Sequence, residues 1–532
     1  MPDTDAQAEN LPPAAEPGIS FPLRVAAIDM GSNGIRFEVA EFSDATTFEE
    51  LEYERVPVRL GHDAFVSGKL SDAVMDAAAE AFGRFRSRMD ELGVSHYRAI
   101  ATSAVRESRN GSEFVQRLFD ESAIQVETIT GTEEAKLVWL AVSSRVPLAD
   151  EKWILVDLGG GSVEVSLVDN SGTIWSQSHT MGSVRLLTEL SGVSDSPGGF
   201  RRLLAEYAST LNIPAAAQHW KPAGLVATGG NIEALAELAG AEPDATGVSQ
   251  VSLEELRALI DTLARLSYKQ RVDDLGLRKD RADVILPAAV VYERIGILAG
   301  VSTILVPHVG IKDGILLDLV DGLSSGGHGD RLDREVYQGA MALGRRYLFD
   351  ERHGVRVAEF SRSLFDQLQD LHGLGEADRR LLTAAALVHE IGQFVSYRRH
   401  HRHSFYLISY ADLPGMTARE MLLTGLVARY HRRAAPKESH DGFRNLSEDE
   451  RERVRKLSAL LRVADAFDRE HLQRVESLSA RVDGDQLIIE PDGAGDLLLE
   501  QWALTRKGKL FESVFGLALR VERPGEPAAD EE

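Results

Sequence analysis

The chain contains no cysteine in its 532 residues, which excludes disulfides, a thiolate nucleophile and any cysteine-held metal. A reducing, cytoplasmic location is expected. Long apolar runs are also missing. The longest stretch without Asp, Glu, Lys or Arg, Ile295 to Ile311, is too short and too interrupted by Gly, Ser, Pro and His to span a bilayer, which needs about 20 residues. No membrane partner is therefore expected. Basic residues are outnumbered, 59 Lys and Arg against 83 Asp and Glu, giving a formal net charge of −24. That balance argues against broad nucleic-acid binding, which leaves a basic footprint.

What remains is ordinary for a folded protein. Hydrophobic and charged fractions of 43% and 27% sit near the globular norm, and the length suits three or four domains. Residues 1–20, rich in Pro, Ala and acids without a basic start or an apolar centre, read as a disordered tail and not as a signal peptide. One local exception to the acidity stands out. Tyr397-Arg398-Arg399-His400-His401-Arg402-His403 and Arg429-Tyr430-His431-Arg432-Arg433 are dense in cations, either a solvated helix rim or a phosphate-lined channel to which Arg398 and Arg399 contribute.

Two runs share one grammar. Ala27-Ile28-Asp29-Met30-Gly31-Ser32-Asn33 and Val156-Asp157-Leu158-Gly159-Gly160-Gly161-Ser162 each end an apolar segment with an acid, then turn through Gly and Ser, whose backbone N–H groups can approach an anion. Around them the pattern repeats. Strands are predicted at Val25–Asp29, Arg36–Ala40 and Leu51–Val58, and again at Trp153–Asp157, Val163–Val168 and Thr173–Thr180, with helices at Ser71–Leu92, Ser112–Phe119 and Thr132–Ser144. Strands at Tyr97–Thr102, Ile124–Ile129, Gly224–Thr228 and Thr303–Val306 complete two α/β halves. Past a Gly-Ser linker, Ser324 to Gly329, the chain becomes helical to about Gln473. A strand-rich tail follows, with strands at Ala480–Val482, Gln486–Glu490 and Ser513–Val521 and a helix near Leu497–Lys507.

Several further segments stand in a fixed order: Ala101-Thr102-Ser103-Ala104-Val105-Arg106, Gly131-Thr132-Glu133-Glu134-Ala135, Asp157 through Glu164, and Thr228-Gly229-Gly230. In that order and approximate spacing the chain resembles the exopolyphosphatase and guanosine pentaphosphate phosphatase family of the actin-like ATPase superfamily, from Arg24 to about Val521. The resemblance implies duplicated actin-like (ribonuclease H-like) domains over 21–147 and 148–323, an all-helical HD-like domain over 330–475 and a small α+β unit over 476–523. A homodimer is implied by the resemblance alone.

Hydrolysis of a phosphoanhydride needs a held phosphoryl group, a metal and a base for water. Asp29, Gly31, Ser32 and Asn33 would cradle phosphate from one side and Gly159, Gly160, Gly161 and Ser162 from the other, with Thr102, Ser103, Thr228, Gly229 and Gly230 adding contacts. Arg106 is the natural cationic partner, since its planar fork matches phosphate oxygens. Asp157 and Glu164, seven residues apart across a glycine turn, suit Mg2+ or another divalent cation, the role the resemblance gives them. Glu134 is by resemblance the base. Glu133, at a helix start, is explained by the helix dipole alone.

Departures from the family pattern are few. Lys136 stands where Arg is common, and Lys312-Asp313-Gly314 where Arg-Glu-Gly is usual. In the helical part His389-Glu390 replaces His-Asp, Asp465 offers a distal ligand and no preceding His is clearly placed, so a structural or polyanion-binding role is expected there before a metal site.

A Thr-Gly-Gly turn such as Thr228–Gly230 would equally suit a kinase, but no acceptor domain is appended. The expected function is Mg2+-dependent release of terminal orthophosphate from inorganic polyphosphate. Guanosine pentaphosphate is the rival substrate, and a non-catalytic alarmone or polyphosphate sensor the rival class. Retained Glu134, Asp157 and Glu164 argue against the sensor.

Overall fold

The computed structural model describes residues 20–170, 172–190, 197–211, 221–324, 328–432, 434–493 and 498–522. Most of the expected N-terminal tail, the centre of the expected linker and Arg433 lie outside them. His328 already opens a helix, His328–Arg346.

The first sheet contains β1 (Leu23–Gly31), β2 (Gly34–Phe42), β3 (Phe48–Val56), β4 (His96–Ala101) and β5 (Val126–Thr128), ordered β3-β2-β1-β4-β5. β1, β2 and β3 form an antiparallel meander, while β4 and β5 run parallel to β1. The second sheet repeats that plan. It contains β6 (Trp153–Leu158), β7 (Val163–Asp169), β8 (Gly172–His179), β9 (Gly224–Thr228), β10 (Ser249–Ser252) and β11 (Thr303–Val306), ordered β10-β11-β9-β6-β7-β8. The extra edge strand β10 is antiparallel to β11. This is the duplicated actin-like arrangement expected from the sequence.

Burial follows strand position. β1, central and covered on both faces, is apolar almost throughout, whereas edge strand β3 exposes Glu49 and Glu50, charges that discourage edge pairing. Two helices join the lobes. Helix Gly131–Ser143 packs on β7 and β8, and helix Ile311–Ser324, though it follows the second sheet in sequence, buries Ile315, Leu316 and Val320 against Val25 and Ala27 of the first. They cross closely because residue 314 is glycine: a Cβ there would overlap the carbonyl of Leu137.

The rest of the chain shares one core. Helices Glu351–Gln367, Glu376–Val388, His400–Ser409, Ala418–Arg429 and Glu448–Ala466 pack with the sheet β12 (Val475–Asp483), β13 (Gln486–Gly493) and β14 (Ala518–Val521). Val475, Leu487, Ile489 and Phe511 lie in the same apolar cluster as Leu457 and Leu460, so the tail is cored by the helical domain. The strand expected over Ser513–Val521 is shorter. Lys509–Phe515 is a helix that buries Leu510 and Phe511 and ends at Gly516, whose left-handed φ of 71° turns the chain into β14.

Candidate active site

Strand alternation sets the two aspartates. Ala26, Ile28 and Met30 enter the core that includes Phe82 and Phe85, so Val25, Ala27 and Asp29 take the opposite face, toward helix Ile311–Ser324. In β6, Ile154, Val156 and Leu158 enter one core while Leu155, and with it Asp157, faces the side packed by helix Gly131–Ser143. Both acids therefore emerge at strand ends where the lobes meet. Between them is a cavity of about 200 Å³ lined by Asp29, Gly31, Ser32, Asn33, Thr102, Ser103, Glu134, Asp157, Gly159, Gly160, Ser162, Gly229 and Gly230.

The two Gly-Ser turns touch. A Cβ on Gly160 would lie 2.7 Å from Ser32 Cβ, and one on Gly161 would overlap Ser103 and Phe65. Gly161 is buried and does not line the cavity; its lack of a side chain lets the lobes approach. Ser32 Oγ and Ser103 Oγ are 3.2 Å apart, and Asn33 Nδ2 donates to the Asp280 carbonyl at 2.8 Å, tying the first turn to the other lobe.

Glu134 follows the N-cap Thr130 by one helical turn and lines the cavity while 5% exposed. Arg106 stands behind it, donating from Nη1 to Glu134 Oε1 at 2.8 Å and to the Ile129 carbonyl at 2.5 Å. Glu133 points elsewhere, into an ion pair with buried Arg98 at 2.6 Å. Lys136 is also structural: it bridges Asp318 of helix Ile311–Ser324, at 2.8 Å, and Glu335 of helix His328–Arg346, at 2.5 Å.

Asp157 and Glu164 are direct cross-strand partners in the β6–β7 ladder. Thr228 Oγ1 donates to Asp157 Oδ1 at 2.7 Å, and Ser178 Oγ to Glu164 Oε1 at 2.8 Å. Burial raises the pKa of all three acids. Glu164 is pushed up to about 7 by burial and by Asp157, Asp157 is raised mainly by burial, and Glu134 is raised well above the usual carboxylate range by burial and by the Glu164 charge, against the pull of Arg106. Glu164 Oε2 is buried without a hydrogen-bond partner among the described residues. An orphaned carboxylate oxygen beside a second, half-buried acid, Asp157, fits a hard divalent cation, with oxygen ligands left for water and phosphate.

Sequence reasoning missed most of the cations. Arg36, Arg55, Arg278, Arg281 and Lys312 line the same cavity. Arg36 donates to Asp29 Oδ2 at 2.6 Å, Arg55 pairs with Asp280 at 2.5 Å, and Lys312 pairs with Glu38. Arg281, 7% exposed, donates to Asn231 Oδ1 at 2.6 Å, and burial together with Arg278 and Arg36 lowers its pKa to about 10. Burial and neighbouring arginines lower both Arg281 and Arg55, and guanidinium groups crowded in this way form an anion site. Arg36 was accessible from the duplication, since it follows Asp29 by seven residues as Glu164 follows Asp157. Glu164, Thr228 and Arg106 lie behind the cavity wall, and Arg398 and Arg399 are exposed on the helical domain without lining the cavity.

Two actin-like lobes closing over crowded arginines, Gly-Ser turns and buried carboxylates define a phosphate-processing enzyme. Residues 39–322 match the model of the Ppx/GppA phosphatase family, and residues 337–505 that of Ppx/GppA phosphatase, domain III. The chain belongs to the Ppx/GppA phosphatase family, whose members hydrolyse phosphoanhydride bonds. It is 27% identical over 412 residues, 76% of this chain and 79% of the relative, to a guanosine-5'-triphosphate,3'-diphosphate pyrophosphatase of Aeromonas hydrophila subsp. hydrophila. An exopolyphosphatase of Cytophaga hutchinsonii of known structure is 28% identical, covering 57% of this chain and 100% of its own, with a TM-score of 0.53. An Aquifex aeolicus member of the Ppx/GppA family is 22% identical, covering 56% and 97%, with a TM-score of 0.47.

Proposed function

We propose that the protein is an exopolyphosphatase that releases terminal orthophosphate from inorganic polyphosphate in the cytoplasm. The observation that carries this reading is the arginine cluster, Arg36, Arg55, Arg278 and Arg281, beside the buried Glu134 carboxyl. A terminal phosphate between the two Gly-Ser turns would leave the following phosphates among those guanidinium groups.

Asp157 and Glu164 would hold Mg2+, which supplies positive charge to the phosphate oxygens when bound. The chain's own residues do the rest. Glu134, as carboxylate, accepts a proton from the water whose oxygen forms the new P–O bond. The bond from that phosphorus to the bridging oxygen breaks, and the shortened chain leaves with the electron pair, its charge met by the arginines. Arg106 holds Glu134 by the 2.8 Å bond and favours its ionised form.

A second reading has its own support. A neighbouring cavity of about 630 Å³ adjoins the first at Gly230, Arg278, Arg281 and His308 and carries Glu233, Glu237 and Glu242. Those carboxylates could accept from guanine N–H donors, and the Aeromonas relative is named for guanosine pentaphosphate chemistry. The deciding experiment measures phosphate release from long polyphosphate, guanosine pentaphosphate and ATP, with and without Mg2+. Faster kcat/KM on polyphosphate supports the first reading. Preference for the nucleotide replaces it with the second, and inactivity on all three leaves the sensor.

A further inference from the structure

The helical domain brings together a cluster that the catalytic cleft does not use. His353, His389, His400, His431 and Asp465 come from five different helices or their ends, and each is at most 3% exposed. The sequence showed His389, Glu390 and Asp465 without an obvious preceding histidine. His353 fills that place from helix Glu351–Gln367.

Each imidazole is fixed from behind. Nδ1 of His353 meets Asp468 Oδ2 at 2.8 Å, Nδ1 of His389 meets the Ala386 carbonyl at 2.7 Å, Nδ1 of His400 the Tyr397 carbonyl at 3.2 Å, and Nδ1 of His431 the Ala428 carbonyl at 2.7 Å. These oxygens accept, so each Nδ1 donates, and a neutral ring then presents a bare Nε2 lone pair. The lone pairs face one another: His353 Nε2 lies 3.3 Å from His389 Nε2, and His400 Nε2 lies 3.1 Å from His431 Nε2. Two acceptors that close repel unless a proton or a cation stands between them.

The carboxylates favour the cation. Asp465 Oδ1 is 3.7 Å from both His353 Nε2 and His389 Nε2, and Glu390 Oε1 is 3.7 Å from His400 Nε2. Those spans are too long for hydrogen bonds. They are close to the spacing of about 3.3 Å between two ligands each about 2.0–2.1 Å from a tetrahedral ion. Donation of the outer ring nitrogen to a carbonyl or carboxylate is also how metal-binding histidines are oriented. Lys507 pairs with Asp465 through Oδ2, which leaves Oδ1 to the histidine side. Imidazole-rich sets suit Zn2+, Fe2+ or Ni2+ better than Mg2+.

We propose that the helical domain holds a divalent transition-metal centre, one ion on His353, His389 and Asp465 and a second on His400, His431 and Glu390. A cavity of about 90 Å³ opens beside it, lined by Arg432, Arg469, Arg506 and Lys507. The remaining coordination positions accordingly select an anionic ligand of the phosphate class.

The full-length protein tests this after chelator treatment, reloading with Zn2+ and gel filtration, with bound metal counted by mass spectrometry. Two ions per chain are expected in Glu164→Gln, where the cleft pair no longer competes for Zn2+, and one each when His353→Gln or His431→Gln is added to it. Circular dichroism selects variants that keep the native fold, and Zn2+ should raise the melting temperature of Glu164→Gln by several degrees more than that of either double variant. With Co2+ as probe, inorganic phosphate should shift the visible absorption of Glu164→Gln. No retained Zn2+ in Glu164→Gln, or retention unchanged in the folded double variants, would overturn the centre. A Co2+ spectrum indifferent to phosphate would overturn the ligand class.

Discussion

Glu164 stands directly opposite Asp157 across β6 and β7, the register position that Arg36 holds opposite Asp29 across β1 and β2. The duplicated architecture thus places an ion pair in one lobe and two carboxylates in the other. The paired lobe is neutralised internally by the 2.6 Å Arg36–Asp29 contact, while the acidic pair has no cation at the matching register position and is left to a proton or to the proposed metal ion.

Glu164→Gln should therefore raise the Mg2+ concentration for half-maximal phosphate release by about 10–100-fold, a loss typical of a weakened metal site. Arg36→Gln should raise KM for the phosphate substrate and leave that Mg2+ midpoint within about threefold, since Arg36 lies on the substrate side. Mg2+ titrations of phosphate release compare the two.

Glu134→Gln removes the proton acceptor while keeping shape and most contacts. A fall in kcat of about 10²–10⁴-fold is expected, with KM changed by less than tenfold. Steady-state kinetics on polyphosphate reads the split; unchanged kcat would remove Glu134 as the base.

Cation binding should depend on pH with a definite sign. Glu164, raised to about 7 by burial and Asp157, must lose its proton to bind a cation. Below pH 7, Mg2+ affinity should fall by about tenfold per pH unit, and above it the dependence should flatten. The same elevation means that, in chelator, the folded state holds a proton that the unfolded chain releases near its ordinary pKa of 4.5. Stability from this group is present below that value and falls as pH rises toward 7. Calorimetry at several pH values checks both.

Arg281→Ala should cost about 10–100-fold in kcat/KM, the loss of a charge-assisted contact of about 1.5–3 kcal/mol. The loss should be larger on long chains than on triphosphate, because Arg281 sits where phosphates beyond the terminal one would lie. A chain-length series measures it.

Two glycine substitutions should have opposite effects on stability. Gly314→Ala drives a methyl into the Leu137 carbonyl and should destabilise by about 1–3 kcal/mol or more. Gly83→Ala, in a helix with nothing within 4 Å of the new Cβ, should stabilise by about 0.5–1 kcal/mol. Thermal unfolding distinguishes them.

Strand meanders and the aspartate turns were legible because they are local: alternation locates β1 and β6, and an acid followed by Gly and Ser marks the turn. Helix Lys509–Phe515 was missed because Ser513-Val514-Phe515 reads as strand until burial of Leu510 and Phe511 makes it helical. Apart from Arg36, the cleft arginines were not legible, since Arg55 and Asp280 meet across 225 residues of chain. Likewise His353 becomes meaningful only when folding brings it to Asp468, 115 residues away. Helix Ile311–Ser324 shows the same limit, because sequence order cannot say which sheet it covers.

Lys136 lies two residues after Glu134 on the same helix and joins Glu335 of helix His328–Arg346. Glu134, the proposed base, is thus anchored at one end to Arg106 of the first lobe and, half a turn later, to the start of the helical domain. Tilting that domain would pull on the segment that carries the base before it disturbed either Gly-Ser turn. Under the proposed mechanism three parts of the molecule would set the alignment of the attacking water, and a weakened Lys136–Glu335 contact would be felt as lost aim, with the phosphate still held.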